Sequence, residues 1–256
     1  MSTILFGYDP AYHPLLEALS LKKNARPVYL MPGDGRKGNT VRSVPIHPHQ
    51  INEMTDFALA HQADAVFLLD RISLSRGAAD DARAMGLNVI GPTVQALAHM
   101  NLKALRGAAS ARGLKVREAR AFPDPRSAAD KNTAWPCVLL APDGAERVFR
   151  SGGEIKNALN RREISRSGNE WYCAEIFPGE SRMISLYRDQ KSTVPFLYEE
   201  GDGDWIRMAS ELMESAGYYG FLTLVLMDED GWALERFDPL PAPGIPWEEC
   251  LSVLLG

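Results

Sequence analysis

The opening ninety residues constrain the fold most, because strand-sized apolar runs alternate there with segments of helical spacing. Thr3 to Gly7, Val28 to Met31, Ala65 to Leu69 and Asn88 to Ile90 read as short buried strands. Between them, Ala11 to Leu21 carries apolar residues at helical intervals (Leu15, Leu16, Leu19), and Gln50 to His61 and Ala78 to Met85 read as further helices. Strands separated by helices return in the same direction, so this alternation predicts a parallel α/β layer. In doubly wound sheets of this kind, ligands sit beyond the C-terminal ends of the strands. Asp70, Arg71 and Ser73, just after the third run, are therefore site candidates by position, with a surface salt bridge as the competing role for Asp70 and Arg71.

Beyond residue 90 the pattern changes. Gly91-Pro92-Thr93 breaks the last strand, and Thr93 can cap a long helix running to Ala111 with Lys103 in its middle, stopped by Gly113. From Ala121 to Lys131 the composition turns to Pro, Asp, Ala and Ser, which reads as a hinge or linker. Strands dominate afterwards: Cys137 to Ala141, Arg147 to Arg150, Trp171 to Phe177 and Arg182 to Arg188, with helices expected at Glu154 to Arg161 and Asp204 to Ala216. The stretch Gly220 to Pro239 is a β-hairpin signal, an apolar run followed by Asp230-Gly231, a dipeptide suited to a tight type I′ turn, and a return through Trp232 and Leu234. Its returning strand ends in Glu235 and Asp238, two carboxylates that can hold a divalent cation or stand as solvated strand-end charges. Pro239 to Pro246 reads as a stiff, extended exit loop.

Composition excludes several classes. A chain of 256 residues can bury a large core, and its formal net charge of -5 argues against a general affinity for nucleic acid or an anionic membrane. Its longest apolar runs are strand-sized, and its N-terminus lacks a basic region and long apolar core, so neither a membrane span nor a signal peptide is expected. Cys137, Cys173 and Cys250 lack metal spacing and fit a reducing cytoplasm as small core hydrophobes. Gly33-Asp34-Gly35-Arg36-Lys37-Gly38 matches G-x-G-x-x-G literally, but loop and strand residues follow instead of the helix that a pyrophosphate needs, so a loop is expected. His47-Pro48-His49 has no third ligand nearby in sequence and also reads as a loop.

Gly91-Pro92-Thr93, Lys103, Glu175-Ile176-Phe177-Pro178-Gly179-Glu180 and the terminal hairpin ending Leu234-Glu235, in that order, resemble glycinamide ribonucleotide synthetase (phosphoribosylamine-glycine ligase) of the ATP-grasp superfamily. Gly7-Tyr8-Asp9-Pro10-Ala11-Tyr12-His13 stands where that family has a glycine-rich turn ending in histidine, and Met31-Pro32-Gly33-Asp34 where it has a proline-glycine-asparagine turn. The resemblance implies a mixed α/β and α+β fold, with a Rossmann-like pre-ATP-grasp domain (1–120) followed by a reduced ATP-grasp domain. The latter comprises a small subdomain (121–185) and a second subdomain with the terminal hairpin (186–256). It implies ATP and Mg²⁺ as cofactors, with Lys103 on an ATP phosphate, Glu175 and Glu180 by the nucleotide, and Glu235 with Asp238 on the metal. Apart from the resemblance, Arg71 is the candidate for a changed specificity determinant, because a guanidinium there suits a phosphate or carboxylate, and Lys103 and Arg71 are the catalytic candidates.

The departures from the family are specific. Leu140 stands where the family places its second phosphate lysine, and the glycine-rich phosphate lid is reduced to Asp143-Gly144-Ala145. Ala174 replaces the first of two paired glutamates, Phe237 a metal-binding asparagine, and Asp70-Arg71 a Gly-Pro-Glu turn. Three functions follow as expectations. The first is a diverged ligase joining an amine or amino acid to a small, nucleotide-like substrate. The second is ATP-independent transfer of an amino acid onto a phosphate-activated acceptor, and the third a binding module or pseudoenzyme. The expected partner is a small molecule bearing an amine or phosphate, and a homodimer is compatible with the chain.

Overall fold

The computed structural model describes residues 2–21, 27–35, 38–132, 134–142, 145–161, 163–164, 170–176, 180–189, 191–228 and 230–254. Its first layer is built from β1 (Thr3–Phe6), α1 (His13–Leu21), β2 (Val28–Met31), β3 (Val41–Ser43), α2 (Ile51–Ala60), β4 (Ala65–Leu68), α3 (Arg71–Ser75), α4 (Ala78–Ala84) and β5 (Val89–Ile90). The five strands pair in parallel in the order β3-β2-β1-β4-β5. The order reverses between β1 and β4, so the loops after these two strands meet at the switch point of a doubly wound sheet. There Gly7 takes a left-handed φ of +78°, and a Cβ on it would stand 2.1 Å from Asp70 Oδ2. Only glycine fits this crossing of chains.

Two helices follow, α5 (Val94–His99) and α6 (Leu102–Ala111), where spacing alone predicts a single long one. Asn101 separates them: it leaves helical geometry and its side chain accepts from Ala104 N, beginning a new helix. Lys103 accordingly sits in the first turn of α6, not at mid-helix. The expected hinge at 121–131 is ordered structure, β6 (Arg120–Phe122) and α7 (Pro125–Lys131). Asp124 caps α7 by accepting from Ser127 N at 2.7 Å, and Pro125 occupies the first helical position, so the Pro- and Asp-rich composition marks a helix start.

The second sheet adds β7 (Cys137–Leu140), β8 (Glu146–Phe149) and, beyond α8 (Gly152–Asn160), β9 (Trp171–Glu175), in the order β6-β9-β7-β8. Leu140 pairs with Glu146 across the β7–β8 hairpin, while Asp143 and Gly144 lie outside the described residues. The third sheet, order β11-β10-β12-β13, is formed by β10 (Ser181–Arg188), β11 (Thr193–Leu197), β12 (Gly220–Asp228) and β13 (Trp232–Asp238), with α9 (Gly203–Ser215) before β12. The terminal hairpin is as expected, but its register pairs Asp228 with Trp232, leaving three residues in the turn, not two. Asp230 and Gly231 both have positive φ, as that dipeptide favours, and Glu229 lies outside the described residues.

A shared core holds the antiparallel sheets together: Leu140, Tyr172 and Ala174 pack with Leu105 and Ala109 of α6, Trp205 and Met208 of α9, and Leu224, Leu226 and Leu234 of the hairpin. After the proline-rich exit, α10 (Trp247–Leu254) returns to the first layer, where Trp247 and Leu251 join Leu15, Leu19 and Phe67. Gly220 permits the close seating of β12 on the first layer, since a Cβ there would come within 3.0 Å of Gly91. Among the described residues, no helix is long and apolar enough to cross a membrane.

Candidate functional site

A cavity of about 950 Å³ opens between α6, the connection 114–120 and β9. Its wall carries Lys103, Arg106, Arg117 and Arg120 together with Glu118 and Glu175. Lys103 and Arg106 are three residues apart and share a face of α6. Arg117 arrives from a segment that runs beside β13: Val116 bridges Leu234 in parallel, Arg117 N donates to Leu234 O at 3.0 Å, and Leu234 N donates to Lys115 O at 2.9 Å. Glu175, at the end of β9, is exposed and lines the same cavity.

The arginines are arranged by burial and hydrogen bonding. Arg106 donates from Nη2 to Arg117 O at 2.7 Å and lies 4.7 Å from the centre of the Tyr172 ring, while its Nη1 is buried without a hydrogen-bond partner. Burial lowers the Arg106 pKa from its ordinary value, although a guanidinium has far to fall before it loses its proton. Burial, and then the Glu170 charge, raise the Tyr172 phenol above its usual range, so it is a neutral ring and donor. Lys103 is largely exposed and pairs with Glu170 at 2.8 Å. Arg117 is only 3 % exposed, and it donates from Nη1 to Glu235 and from Nη2 to Glu175 O.

Glu235 owes its position to an irregularity in the hairpin. The register steps from Leu226↔Leu234 to Val225↔Arg236, so Glu235 is the extra residue of a β-bulge. Bulges re-aim side chains, and this one turns Glu235 to Arg117. Burial raises its carboxyl pKa, more than the facing Arg117 lowers it. Desolvation therefore outweighs attraction despite the close contact, as is common for buried ion pairs.

Arg71 lines a second, smaller cavity of about 380 Å³, with Val94, Leu97, Asn101 and Phe237, and pairs with Asp238 at 3.1 Å. Asn101 borders this cavity and Lys103 the first, so the N-terminus of α6 lies between them. Asp70 and Ser73 have a structural task, capping α3: the Asp70 carboxylate accepts from Ser73 N at 2.8 Å and from the Ser73 hydroxyl at 2.6 Å. Tyr12 lies half-buried near Asp238, Asp9 and Arg71, and desolvation, then those carboxylates, raise its pKa.

The structure thus unites Lys103 and Glu175 in one cavity and places Arg71 and Asp238 together at the other. It does not bring Glu235 and Asp238 onto a common point, since each is engaged by a different arginine. Glu180 is exposed at the start of β10, where its carbonyl accepts from Asp228 N at 3.0 Å, and it does not line the first cavity. Among the described residues, no three Asp, Glu, His or Cys side chains converge on a metal-sized point. A magnesium ion held by Glu235 and Asp238 does not fit this donor set. Leu140, the position at which the resemblance leads us to expect a phosphate lysine, is 1 % exposed and packed in the core between the sheets. His47 and His49 stack on each other in a loop, and no helix follows Gly38. Arg36, Lys37 and Phe177 to Gly179 lie outside the described residues.

Sequence reading missed Arg106, Arg117 and Arg120. The three-residue spacing of Lys103 and Arg106 was a usable signal; Arg117 lies on irregular chain, and Arg120 opens a three-residue strand too short to show a period.

No family model matches the chain, and no curated protein matches it. Solved structures do. The biotin carboxylase domain of Hydrogenobacter thermophilus 2-oxoglutarate carboxylase, a dimer in complex with MgADP, ADP and bicarbonate, superposes with a TM-score of 0.67 at 13% identity, over 95% of this chain and 64% of that one. A biotin carboxylase complex with βγ-ATP from Campylobacter jejuni gives 0.66 at 14% identity, over 97% and 67%. Rhizobium etli pyruvate carboxylase gives 0.58 at 17%, over 94% of this chain and 27% of its own. The fold is an ATP-grasp fold. The chain spans less than two thirds of the Hydrogenobacter domain. Within this ATP-grasp fold, the larger cavity is framed by the second sheet and the helix that carries Lys103.

Proposed function

We propose that the larger cavity binds a nucleotide or similarly built phosphorylated small molecule, and that the chain is a diverged relative of the carboxylate-amine ligases. The observation that carries this reading is the meeting of Lys103, Arg106 and Arg117 with Glu175, which is distant from them in sequence, around one space of about 950 Å³. Guanidinium and ammonium groups stabilise phosphate charge, and a volume of this order suits a nucleotide-sized ligand. Solved structures of the same fold hold ADP or an ATP analogue, which supports the same choice of ligand.

Because Glu235 and Asp238 do not converge, the reaction favoured is transfer of an amine or amino acid onto an acceptor already activated by phosphate. The amine nitrogen attacks the acyl carbon of such an acceptor, the carbon–oxygen bond to phosphate breaks, and a proton leaves the nitrogen. Lys103 and the arginines neutralise the departing phosphate. The carboxylate- or phosphate-bearing part of the substrate is assigned to the second cavity, where Arg71 offers a planar fork. A second reading, an ATP-driven ligase, is favoured by the nucleotide-bound neighbours. On either reading the units 1–120, 121–185 and 186–256 act as pre-ATP-grasp domain and two clasping subdomains of a cytoplasmic enzyme, with a homodimer as its assembly.

Calorimetry with ADP tests the site. Binding to the wild type and roughly tenfold weaker binding to Lys103→Ala are expected, since an ionic phosphate contact is worth about 1.5 kcal/mol or more. Unaltered affinity in Lys103→Ala removes the lysine from the site. Arg71→Glu should leave ADP binding intact and abolish amino-acid-dependent turnover of an acyl phosphate acceptor. Full turnover in that variant refutes the role of the second cavity.

A further inference from the structure

We infer that the guanidinium of Arg117, in place of a divalent metal ion, is the fixed cation this cavity presents to a phosphate, with Glu235 as its counter-ion. The inference rests on the nucleotide reading above and deepens it.

Three observations converge. First, Arg117 is locked: both terminal nitrogens donate to protein acceptors, its backbone N donates to Leu234 O, and its carbonyl receives Arg106 Nη2 at 2.7 Å. A side chain only 3 % exposed and held at this many points cannot swing away to admit a hydrated ion, yet it forms part of the cavity wall. Secondly, among the described residues no three Asp, Glu, His or Cys side chains form a group that could hold a metal ion, and Glu146, the acid whose charge reaches Glu235, is paired with Arg236 at 2.9 Å. The hairpin neighbours Leu224, Leu226, Leu234 and Phe237 are buried in the apolar core, and Asp238 is held by Arg71 at 3.1 Å. Mg²⁺ at a phosphate site is usually held by one or two free carboxylates together with water and phosphate oxygens, and here Glu235 is already engaged by the Arg117 guanidinium. Thirdly, Arg106 keeps a buried Nη1 without an acceptor, beside the Arg117 carbonyl that receives its Nη2. A buried donor left unpaired costs free energy, and a ligand phosphate oxygen would relieve that cost.

The two roles for Glu235 predict opposite effects of a neutral amide. As a metal ligand, Glu235 attracts Mg²⁺ and through it the nucleotide, so Glu235→Gln weakens binding. As the counter-ion of Arg117, it competes with the phosphate for the guanidinium, so the same substitution strengthens binding. The isosteric amide still accepts from Arg117, so the fold is retained; its thermal unfolding and that of Arg117→Lys are recorded alongside.

The experiment is calorimetry of ADP with the full chain in excess EDTA and in excess MgCl₂. Expected are wild-type affinities that agree within about threefold between the two buffers, and about tenfold tighter binding by Glu235→Gln in EDTA. Arg117→Lys, which keeps the charge but not the fork, should weaken binding about tenfold in both buffers. Binding by the wild type in MgCl₂ only, or weaker binding by Glu235→Gln, overturns the inference and leaves the nucleotide site standing. Absence of ADP binding in both buffers overturns the nucleotide reading and this inference with it.

Discussion

Removing Arg117 should convert Glu235 from a paired into an isolated buried acid, and the consequence can be worked out with its sign. In Arg117→Met the flexible thioether side chain occupies most of the space of the arginine stem, so little cavity is created. What is lost is the contact from Nη1 to Glu235 and that from Nη2 to Glu175 O. Breaking a buried pair by deleting one partner costs about 3 to 5 kcal/mol. Glu235 already titrates above the ordinary glutamate range because burial outweighs the attraction of Arg117, and without that attraction its value rises further. A carboxyl whose folded value is raised contributes stability on the acid side and loses it as pH rises through that value. The variant should therefore lie closest to the wild type near pH 4 and lose about 1.4 kcal/mol per pH unit above that, until the folded-state value is passed. Urea unfolding of wild type, Arg117→Met and Arg117→Met/Glu235→Gln between pH 4 and 8 measures this. The double variant has no buried acid to ionise and should show no extra pH slope. A loss in Arg117→Met that is independent of pH, or a double variant with the same slope as the single, refutes the reasoning.

Other expectations concern residues that define what the fold retains. Leu140→Lys should destabilise by several kcal/mol, because the side chain is 1 % exposed among apolar neighbours; an unchanged urea midpoint would show that the lysine reaches the cavity. Gly7→Ala should cost about 2 kcal/mol or more, given its φ of +78° and the Asp70 carboxylate 2.1 Å from the new Cβ, and a fully stable variant would mean that the switch-point loops repack freely. Burial pushes the Cys250 thiol up to about 12, so native protein at pH 8 should resist iodoacetamide at this residue until urea is added, as peptide mass spectrometry would read out. Rapid labelling would place α10 away from α1 in solution.

The local signals were strong where one element answers to one chemical rule. Alternating apolar runs specified the parallel layer, Asp230-Gly231 the hairpin, and Thr93 the start of a helix, since strand period, turn conformation and capping all act within a few residues. Asn101 and Asp124-Pro125 carried the same kind of information and were outweighed by apolar spacing and by composition. A short polar cap overrides both because it satisfies orphan amides that would otherwise be lost.

The candidate site was legible only in part. Lys103 and Glu175 could be named from ordered motifs, but their meeting in one cavity depends on the packing of α6 against the antiparallel sheets. Glu235 and Asp238, three residues apart in β13, look like one acidic pair along the chain. The folded protein parts them: a bulge turns Glu235 to Arg117, while Asp238 faces Arg71 beside the switch point of the parallel sheet. Sequence spacing sets which residues a strand can offer; the charge that each one meets comes from segments 118 and 167 positions away, and that pairing exists only once the layers close.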